Sequence, residues 1–231
     1  MKGTVGPALD AISSGMTLRS RVWLLVLAVT CLAFAASCTA SASEGEYRGY
    51  FNVSRGFGDV KLRLAVESRS AASIDEFHYL STGIGAEYGV GAHLVLGACY
   101  SRVDTESGDK WDLEQRPYAD VTLRTKWAGA DLSDRNRLEV RIRDGESTLR
   151  YRNRARLSVG LGASPLRATA DGELFYDMEA DEVNSTRLTA GLDMKIASSL
   201  RVGASYIYES KLKKDDWSGV HGVGLALSVD L

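Results

Sequence analysis

Residues 134–157 read DRNRLEVRIRDGESTLRYRNRARL, and charged residues alternate with others along most of this stretch. On both sides of residues 144–147 an arginine recurs at almost every second position, with Glu139 taking one place in the series. Aliphatic residues such as Leu138 and Val140 occupy positions between the charges. Because alternate side chains of a β-strand point to opposite faces, the stretch predicts two adjacent strands joined by a tight turn. Each strand has one charged face and one apolar face.

The same alternation continues through the chain from residue 59 onward. We expect ten strands, at residues 59–69, 77–88, 91–103, 113–126, 132–143, 147–160, 166–178, 184–196, 200–212 and 219–231. Strands of soluble proteins average about 5–6 residues, whereas a tilted strand that crosses a bilayer needs about 9–11. The pattern therefore predicts an all-β, up-and-down antiparallel transmembrane barrel over residues 59–231, with apolar faces toward lipid and charged faces toward the lumen.

Residues 43–58 leave the strand count open. They form either an N-terminal periplasmic segment or an extra strand, and because bacterial barrels have even strand numbers, an extra strand predicts twelve in total. Both ends of such a barrel are expected in the periplasm. Pro117 removes a hydrogen-bond donor inside a predicted strand, so we expect a β-bulge there.

The first 42 residues have the features of a cleaved signal peptide. Two arginines precede an uncharged apolar run at residues 22–37, and the small residues 40–42 form a cleavage site. Met16 is an alternative start, and Cys38 is an alternative site of lipid attachment. Export together with a transmembrane barrel predicts the bacterial outer membrane as the location.

Several short motifs resemble a family of bacterial outer-membrane barrels that is catalogued only as a domain of unknown function, number 2490. In chain order they are Glu114-Gln115-Arg116-Pro117-Tyr118, Arg135-Asn136-Arg137-Leu138-Glu139-Val140-Arg141, Arg150-Tyr151-Arg152-Asn153-Arg154, Glu173-Leu174-Phe175 and Arg187-Leu188 followed by Gly191. The resemblance covers residues 59–231. It implies a barrel in the outer membrane and no established activity.

Charged side chains on the inward faces form a candidate site in the lumen, where the alternation places more cations than carboxylates. We name this set the lumen charge cluster. It consists of Arg116, Asp120, Arg124, Arg135, Arg137, Glu139, Arg141, Arg143, Arg150, Arg152, Arg154, Arg156, Arg167, Glu173 and Arg187.

Three functions remain open for such a barrel. A net-positive lumen predicts a narrow pore or small-ligand binder that favours anions. Alternatively, carboxylates neutralise the arginines and the barrel is a structural protein with a closed, salt-bridged lumen. The third candidate is a hydrolase at the external rim. There, His78 and His221 are expected on the outward face, with Ser81 and Ser218 near them in sequence.

Composition and motifs argue against several other classes. The formal charge is −2, so the chain is not generally basic, and the signal peptide argues against a nucleic-acid partner. Phosphate loops, dinucleotide fingerprints and metal-ligand spacings are missing from the sequence, so we expect no cofactor and no metal. The expected partners are membrane lipids, lipopolysaccharide, the outer-membrane assembly machinery and a small anionic solute. The sequence leaves the oligomeric state open.

Overall fold

Eleven β-strands close into a barrel in the computed structural model, which describes residues 45–71, 76–213 and 216–231, without the side chain of Lys213. The strands are β1 (Gly45–Phe57), β2 (Val60–Ser70), β3 (Phe77–Val90), β4 (Leu94–Ser107), β5 (Lys110–Trp127), β6 (Ala130–Arg143), β7 (Glu146–Gly160), β8 (Leu166–Asp177), β9 (Glu182–Ala197), β10 (Leu200–Lys213) and β11 (Asp216–Asp230). The predicted all-β up-and-down barrel is confirmed, and the ten predicted strands correspond to β2–β11. No helix among the described residues is long and apolar enough to cross a membrane.

The barrel closes through a parallel pair of strands. Strand β1 pairs with β11 from Gly45 opposite His221 to Ser54 opposite Asp230, whereas all other neighbours are antiparallel. In an up-and-down barrel with an odd strand number, the first and last strands run in the same direction and must pair in parallel. The expectation of ten or twelve strands is therefore wrong, because residues 45–57 add one strand and no twelfth strand is found among the described residues.

The odd strand number also separates the two ends of the described chain. The connections 108–109, 144–145 and 178–181 lie at the Gly45 end of the barrel, where β2 and β10 end and β3 and β11 begin. The Leu231 end carries the connections 58–59, 91–93, 128–129, 161–165 and 198–199, and there the Leu231 amide donates to the Ser54 carbonyl oxygen at 2.8 Å. Gly45 and Leu231 thus lie on opposite sides, which corrects the expectation that both lie in the periplasm. The predictions for the signal peptide, Met16 and Cys38 fall on residues 1–44, outside the described residues.

The outer surface of the barrel is apolar and bordered by aromatic residues. Ile84 and Leu225 on this surface are each 65% exposed. Exposed aromatic residues cluster near the Gly45 end (Tyr47, Phe77, Trp111 and Trp217) and near the Leu231 end (Phe57, Tyr88 and Trp127). An apolar band between two aromatic girdles is the outer surface that a bilayer requires.

Pro117 is accommodated in β5 without a bulge. The register of β5 against β6 is the same on both sides of it, from Gln115 opposite Ile142 to Tyr118 opposite Glu139. Two residues, Arg116 and Pro117, drop out of the pairing, while the pairing with β4 continues unbroken. The expected bulge is therefore wrong, and the missing donor leaves a short gap in the ladder instead.

Candidate functional site in the barrel lumen

A cavity of about 1520 Å³ occupies the lumen. Fifteen Lys and Arg side chains and eight Asp and Glu side chains line it, so its walls carry an excess of positive charge. The wall formed by β2–β4 contributes small residues such as Ala65, Gly83 and Ser101, whereas β6–β9 on the opposite side contribute most of the arginines. The small residues leave the space into which the long arginine side chains extend.

Four buried glutamates anchor these arginines, and we name them the glutamate belt: Glu114, Glu139, Glu173 and Glu209. They lie on β5, β6, β8 and β10, and each is between 1% and 8% exposed. Each one lies four residues from the Gly45 end of its strand. Buried carboxylates are tolerated only where they are paired and hydrogen-bonded, so the cations around each glutamate decide whether the belt is stable.

Glu114 is held by three arginines from two strands. Arg141 binds it in a bidentate manner, with Nε 2.7 Å from Oε1 and Nη2 2.8 Å from Oε2. Arg143 donates to Oε2 at 2.8 Å, and Arg116 donates to Oε1. The planar guanidinium fork matches both carboxylate oxygens, so Glu114 is fully neutralised.

Glu139 accepts from arginines on its own strand and on β7. Arg150 Nη2 lies 2.5 Å from Oε2, and Arg152 Nη1 lies 2.6 Å from Oε1. Arg137 is weaker at 3.4 Å from Oε1, and its Nη2 donates to Asp120 at 2.9 Å. Arg137 therefore links two carboxylates across β5 and β6.

Two arginines connect the glutamates to one another. Arg152 also donates to Glu173 at 2.8 Å, and Arg187 lies 3.5 Å from Glu173 and 2.9 Å from Glu209. Arg135 donates to Glu173 as well, at 2.9 Å. The ion pairs thus run without interruption from Glu139 to Glu209, over the strands β6–β10.

The network of ion pairs also crosses the parallel pair of strands β1 and β11, which we name the seam. Arg48 on β1 donates from Nη2 to Glu209 Oε2 on β10 at 2.6 Å, and its Nε donates to Glu46. Between them, β11 presents Gly222 and Gly224 toward the lumen, so no side chain blocks the guanidinium. The sequence does not predict a lumen role for Glu46 and Arg48, because residues 43–58 fit either a periplasmic segment or an extra strand. Their signal was the alternation of polar and apolar residues over 46–53.

Aromatic rings support the arginines from within the lumen. The guanidinium carbons of Arg150, Arg152 and Arg187 lie 5.5, 4.6 and 5.1 Å from the ring centroid of Phe175, which is 5% exposed. A cation within about 6 Å of an aromatic face is attracted to it, so Phe175 holds the three side chains near β8. Sequence reasoning treated the inward face of this strand as charged and did not single out Phe175.

Other arginines have few carboxylates near them. Arg154 comes no closer than 4.0 Å to Asp171, and its directly opposed neighbour on β6 is another cation, Arg135. The buried Arg135 Nε has no hydrogen-bond partner among the described residues. Arg124 and Arg201 also line the cavity, and no carboxylate of residues 45–71, 76–213 or 216–231 lies within 4.0 Å of either one. Positive charge therefore remains in the cavity after the belt is neutralised.

Twelve members of the predicted lumen charge cluster line the cavity, and the other three, Asp120, Arg141 and Arg143, pair with Arg137 or Glu114. Toward the Leu231 end, Arg156 contacts Asp193 at 3.2 Å and Asp171 at 3.7 Å, and Arg167 pairs with Asp131. Asp131 was predicted to lie in the connection before a strand at residues 132–143, but β6 begins at Ala130, two residues earlier, and the Asp131 carboxylate lines the cavity.

The two rim histidines do not come together on one face. His78 was expected to point outward, but the register of β2 and β3 shifts beside it, and its Nε2 lies 3.2 Å from Glu46 Oε1 in the lumen. His221 does point outward, where its Nδ1 hydrogen-bonds the Tyr206 hydroxyl and its ring packs 5.0 Å from Tyr208. The pair of histidines expected for a hydrolase is thus split by the barrel wall.

The fold and lumen define a class of protein, the outer-membrane β-barrel with a charged interior. Residues 46–219 match the family described as Protein of unknown function (DUF2490), and the chain belongs to this family. The resemblance seen in the sequence is confirmed, and the match extends into β1. No curated protein matches the sequence.

Solved structures of other barrels are only distantly similar. The NanC porin is 12% identical with a TM-score of 0.49, over 71% of this chain and 85% of NanC. An anion-selective porin from Comamonas acidovorans is 12% identical with a TM-score of 0.39, over 74% of this chain and 52% of that porin. The translocator domain of the autotransporter NalP from Neisseria meningitidis is 16% identical with a TM-score of 0.36, over 87% and 94% of the two chains.

Proposed function

We propose that this protein is a narrow outer-membrane barrel that admits small anionic solutes into a positively charged lumen. The observation that carries the proposal is the group of cavity-lining arginines Arg124, Arg154 and Arg201. Among the described residues, no carboxylate lies within 4.0 Å of Arg124 or Arg201, and Arg154 comes no closer than 4.0 Å to Asp171. Residues 1–42 direct export in this proposal, and the mature chain begins at Ser43. Its partners are membrane lipids, lipopolysaccharide, the assembly machinery and the solute.

The division of the charges suits this role. The glutamate belt fixes many arginines in place, so the barrel interior is stable without a ligand. The remaining arginines carry guanidinium groups that recognise carboxylate and phosphate oxygens. Small-molecule sites usually occupy about 300–1,000 Å³, so a cavity of about 1520 Å³ has room for a small organic anion and its water.

Planar-bilayer recordings in a salt gradient test this proposal. We expect channels that prefer chloride to potassium at low salt, with a preference that declines at about 1 M salt, where the Debye length is about 3 Å. The triple variant Arg124→Gln/Arg154→Gln/Arg201→Gln removes three of the seven excess positive charges of the lining and should weaken the preference. Arg102→Gln is the matched control, because Arg102 pairs with Asp104 on the outer surface, and it should retain the preference. Conducting channels with a cation preference would contradict the proposal.

The continuous belt favours a second candidate, a structural barrel with a closed lumen. Ion pairs link the strands β6–β10 and reach across the seam to β1. They stiffen the barrel wall at one height along the barrel axis. A correctly folded barrel that conducts no ions in any salt, and that passes neither chloride nor small carboxylates into vesicles, would support this candidate over the first.

A further inference from the structure

Three polar side chains lie together on the outer surface of the barrel, and we name them the outer polar patch: Asp134, Asn136 and Asn153. Asn136 on β6 and Asn153 on β7 are directly opposed in the register. Asp134 accepts from both amides, with Oδ2 2.9 Å from Asn136 Nδ2 and Oδ1 2.7 Å from Asn153 Nδ2. The Tyr151 hydroxyl donates to Asn136 Oδ1.

The patch lies inside the apolar band rather than at its border. On the same outer faces, Leu132 and Leu157 lie toward the Leu231 end, while Leu138 and Leu149 lie toward the Gly45 end. Asp134 lies four residues beyond the start of β6. With a rise of about 3.4 Å per residue and a strand tilt of about 45°, its depth below that end of the strand is about 10 Å. Polar groups at this depth are costly unless they meet a polar partner.

The hydrogen bonds within the patch leave one donor and one acceptor unused. Asn153 Nδ2 donates to Asp134 and, at 3.1 Å, to Asn136, so both of its N–H groups are used. Among the described residues, nothing donates to the Asn153 carbonyl oxygen, and the second N–H of Asn136 has no acceptor. Both of these groups belong to side chains that are partly exposed on the outer face.

A shallow apolar recess adjoins the patch. It has a volume of about 610 Å³, and its lining includes the small residues Ala155, Ala170 and Gly172 beside Asp134. Small residues on a membrane-facing surface allow another protein surface to approach closely. The outer wall of β6–β8 is therefore both polar and recessed within a band that is mostly apolar.

We propose that the outer polar patch is the interface between two copies of this chain in the membrane. A two-fold axis along the membrane normal exchanges left and right, so Asn136 of one copy meets Asn153 of the second copy. The unused N–H then donates to the unused carbonyl oxygen, twice over in the dimer. Lipid acyl chains offer neither a donor nor an acceptor at this depth, so they do not satisfy the patch.

Cross-linking in isolated outer membranes tests this interface directly. Leu138 is 46% exposed and follows Asn136 on the outer face of β6, toward the Gly45 end. It is changed to Cys in a Cys99→Ser background, and the membranes are treated with a bifunctional maleimide. We expect a cross-linked dimer. Leu225→Cys in the same background is the control, because Leu225 is 65% exposed on β11, across the barrel from β6, and it should give no dimer.

Removal of the amides gives a second measurement. Asp134→Leu/Asn136→Leu/Asn153→Leu should fold normally, as judged by heat-modifiable gel mobility, because leucine suits the lipid-facing surface and no carboxylate is left without its amide donors. Its dimer dissociation constant in mild detergent, measured by light scattering, should rise by roughly tenfold or more, since buried polar contacts between membrane segments contribute a substantial part of their association. A monomeric native protein without a Leu138→Cys dimer would overturn the proposal. The proposal would also be overturned if Leu225→Cys cross-linked equally well. It would likewise be overturned if Leu138→Cys formed adducts only with lipid or with another protein.

Discussion

Arg48 on β1 and Glu209 on β10 form an ion pair that spans the strand between them. Their Nη2 and Oε2 atoms are 2.6 Å apart, although the two residues are 161 positions apart in the chain. Both side chains are almost completely buried, at 1% and 5% exposed. The contact therefore ties the first strand to the tenth from inside the lumen, across the only parallel pair of strands in the described barrel.

Arg48→Met should destabilise the barrel by about 3 kcal/mol, because it removes charge-assisted hydrogen bonds to two buried carboxylates. The midpoint of urea unfolding in lipid vesicles, followed by tryptophan fluorescence, measures the effect. Lys126→Met is the control, since Lys126 is 87% exposed, lies 3.9 Å from Asp131 near the Leu231 end, and should contribute less than about 1 kcal/mol. Equal losses in the two variants would contradict a special role for the seam.

Gly222→Ala should weaken the same seam through its backbone. A Cβ at this position would lie 2.8 Å from the Glu46 carbonyl oxygen, so β1 would have to move away from β11. We expect a lower unfolding midpoint and faster proteolysis within residues 45–57. Gly56→Ala is the matched control, because a Cβ there meets nothing within 4 Å. A Gly222→Ala protein as stable as Gly56→Ala would show that the seam tolerates the shift.

The sequence predicts the barrel well because period-two alternation reports directly which face of a strand meets lipid. It does not predict the closure, since residues 45–57 alternate like the other strands but nothing local shows that β1 pairs with β11 in parallel. The count was wrong because the rule of even strand numbers outweighed this alternation. The inward turn of His78 also depends on a register shift between β2 and β3, and a shift of that kind leaves no mark on the sequence.

The membership of the lumen charge cluster follows from alternation, but its pairing does not. Arg152 could meet several carboxylates, and only the register and the curvature of the wall bring Glu139 and Glu173 within reach. The outer polar patch was visible in principle, because Asp134 and Asn136 interrupt an otherwise apolar face. Sequence reasoning passed over them, since the arginines beside them dominated the pattern.

A double-mutant cycle should show that Glu173 and Arg135 stabilise each other. Glu173→Gln leaves buried arginines without their shared acceptor and should cost about 3–5 kcal/mol. Among the described residues, Glu173 is the only carboxylate within 4.0 Å of Arg135. Adding Arg135→Gln to Glu173→Gln removes an arginine that has already lost its partner. The double variant should therefore lose less stability than the sum of the losses in the two single variants. Unfolding in urea measures all three. Strict additivity would mean that the pair is not coupled.

Thiol labelling should report the sign of the field in the cavity. Ser101 lines the cavity, so Ser101→Cys in a Cys99→Ser background should react faster with a negatively charged methanethiosulfonate than with a positively charged one. The ratio should fall toward one at about 1 M salt, where charges are screened within about 3 Å. Ser199→Cys in the exposed connection 198–199 should show little preference. Faster labelling of Ser101→Cys by the cationic reagent would refute a net-positive lumen.

The parallel closure has a consequence for the order of events during assembly. Strand β1 is the first strand to leave the ribosome, yet its partner β11 is the last, so neither can complete its backbone hydrogen bonds until the whole chain has been delivered. During that interval the growing sheet has two open edges, and open edges invite pairing with other chains. Whatever inserts this protein must keep β1 shielded while nine further strands are added, because this edge closes only when β11 pairs with it.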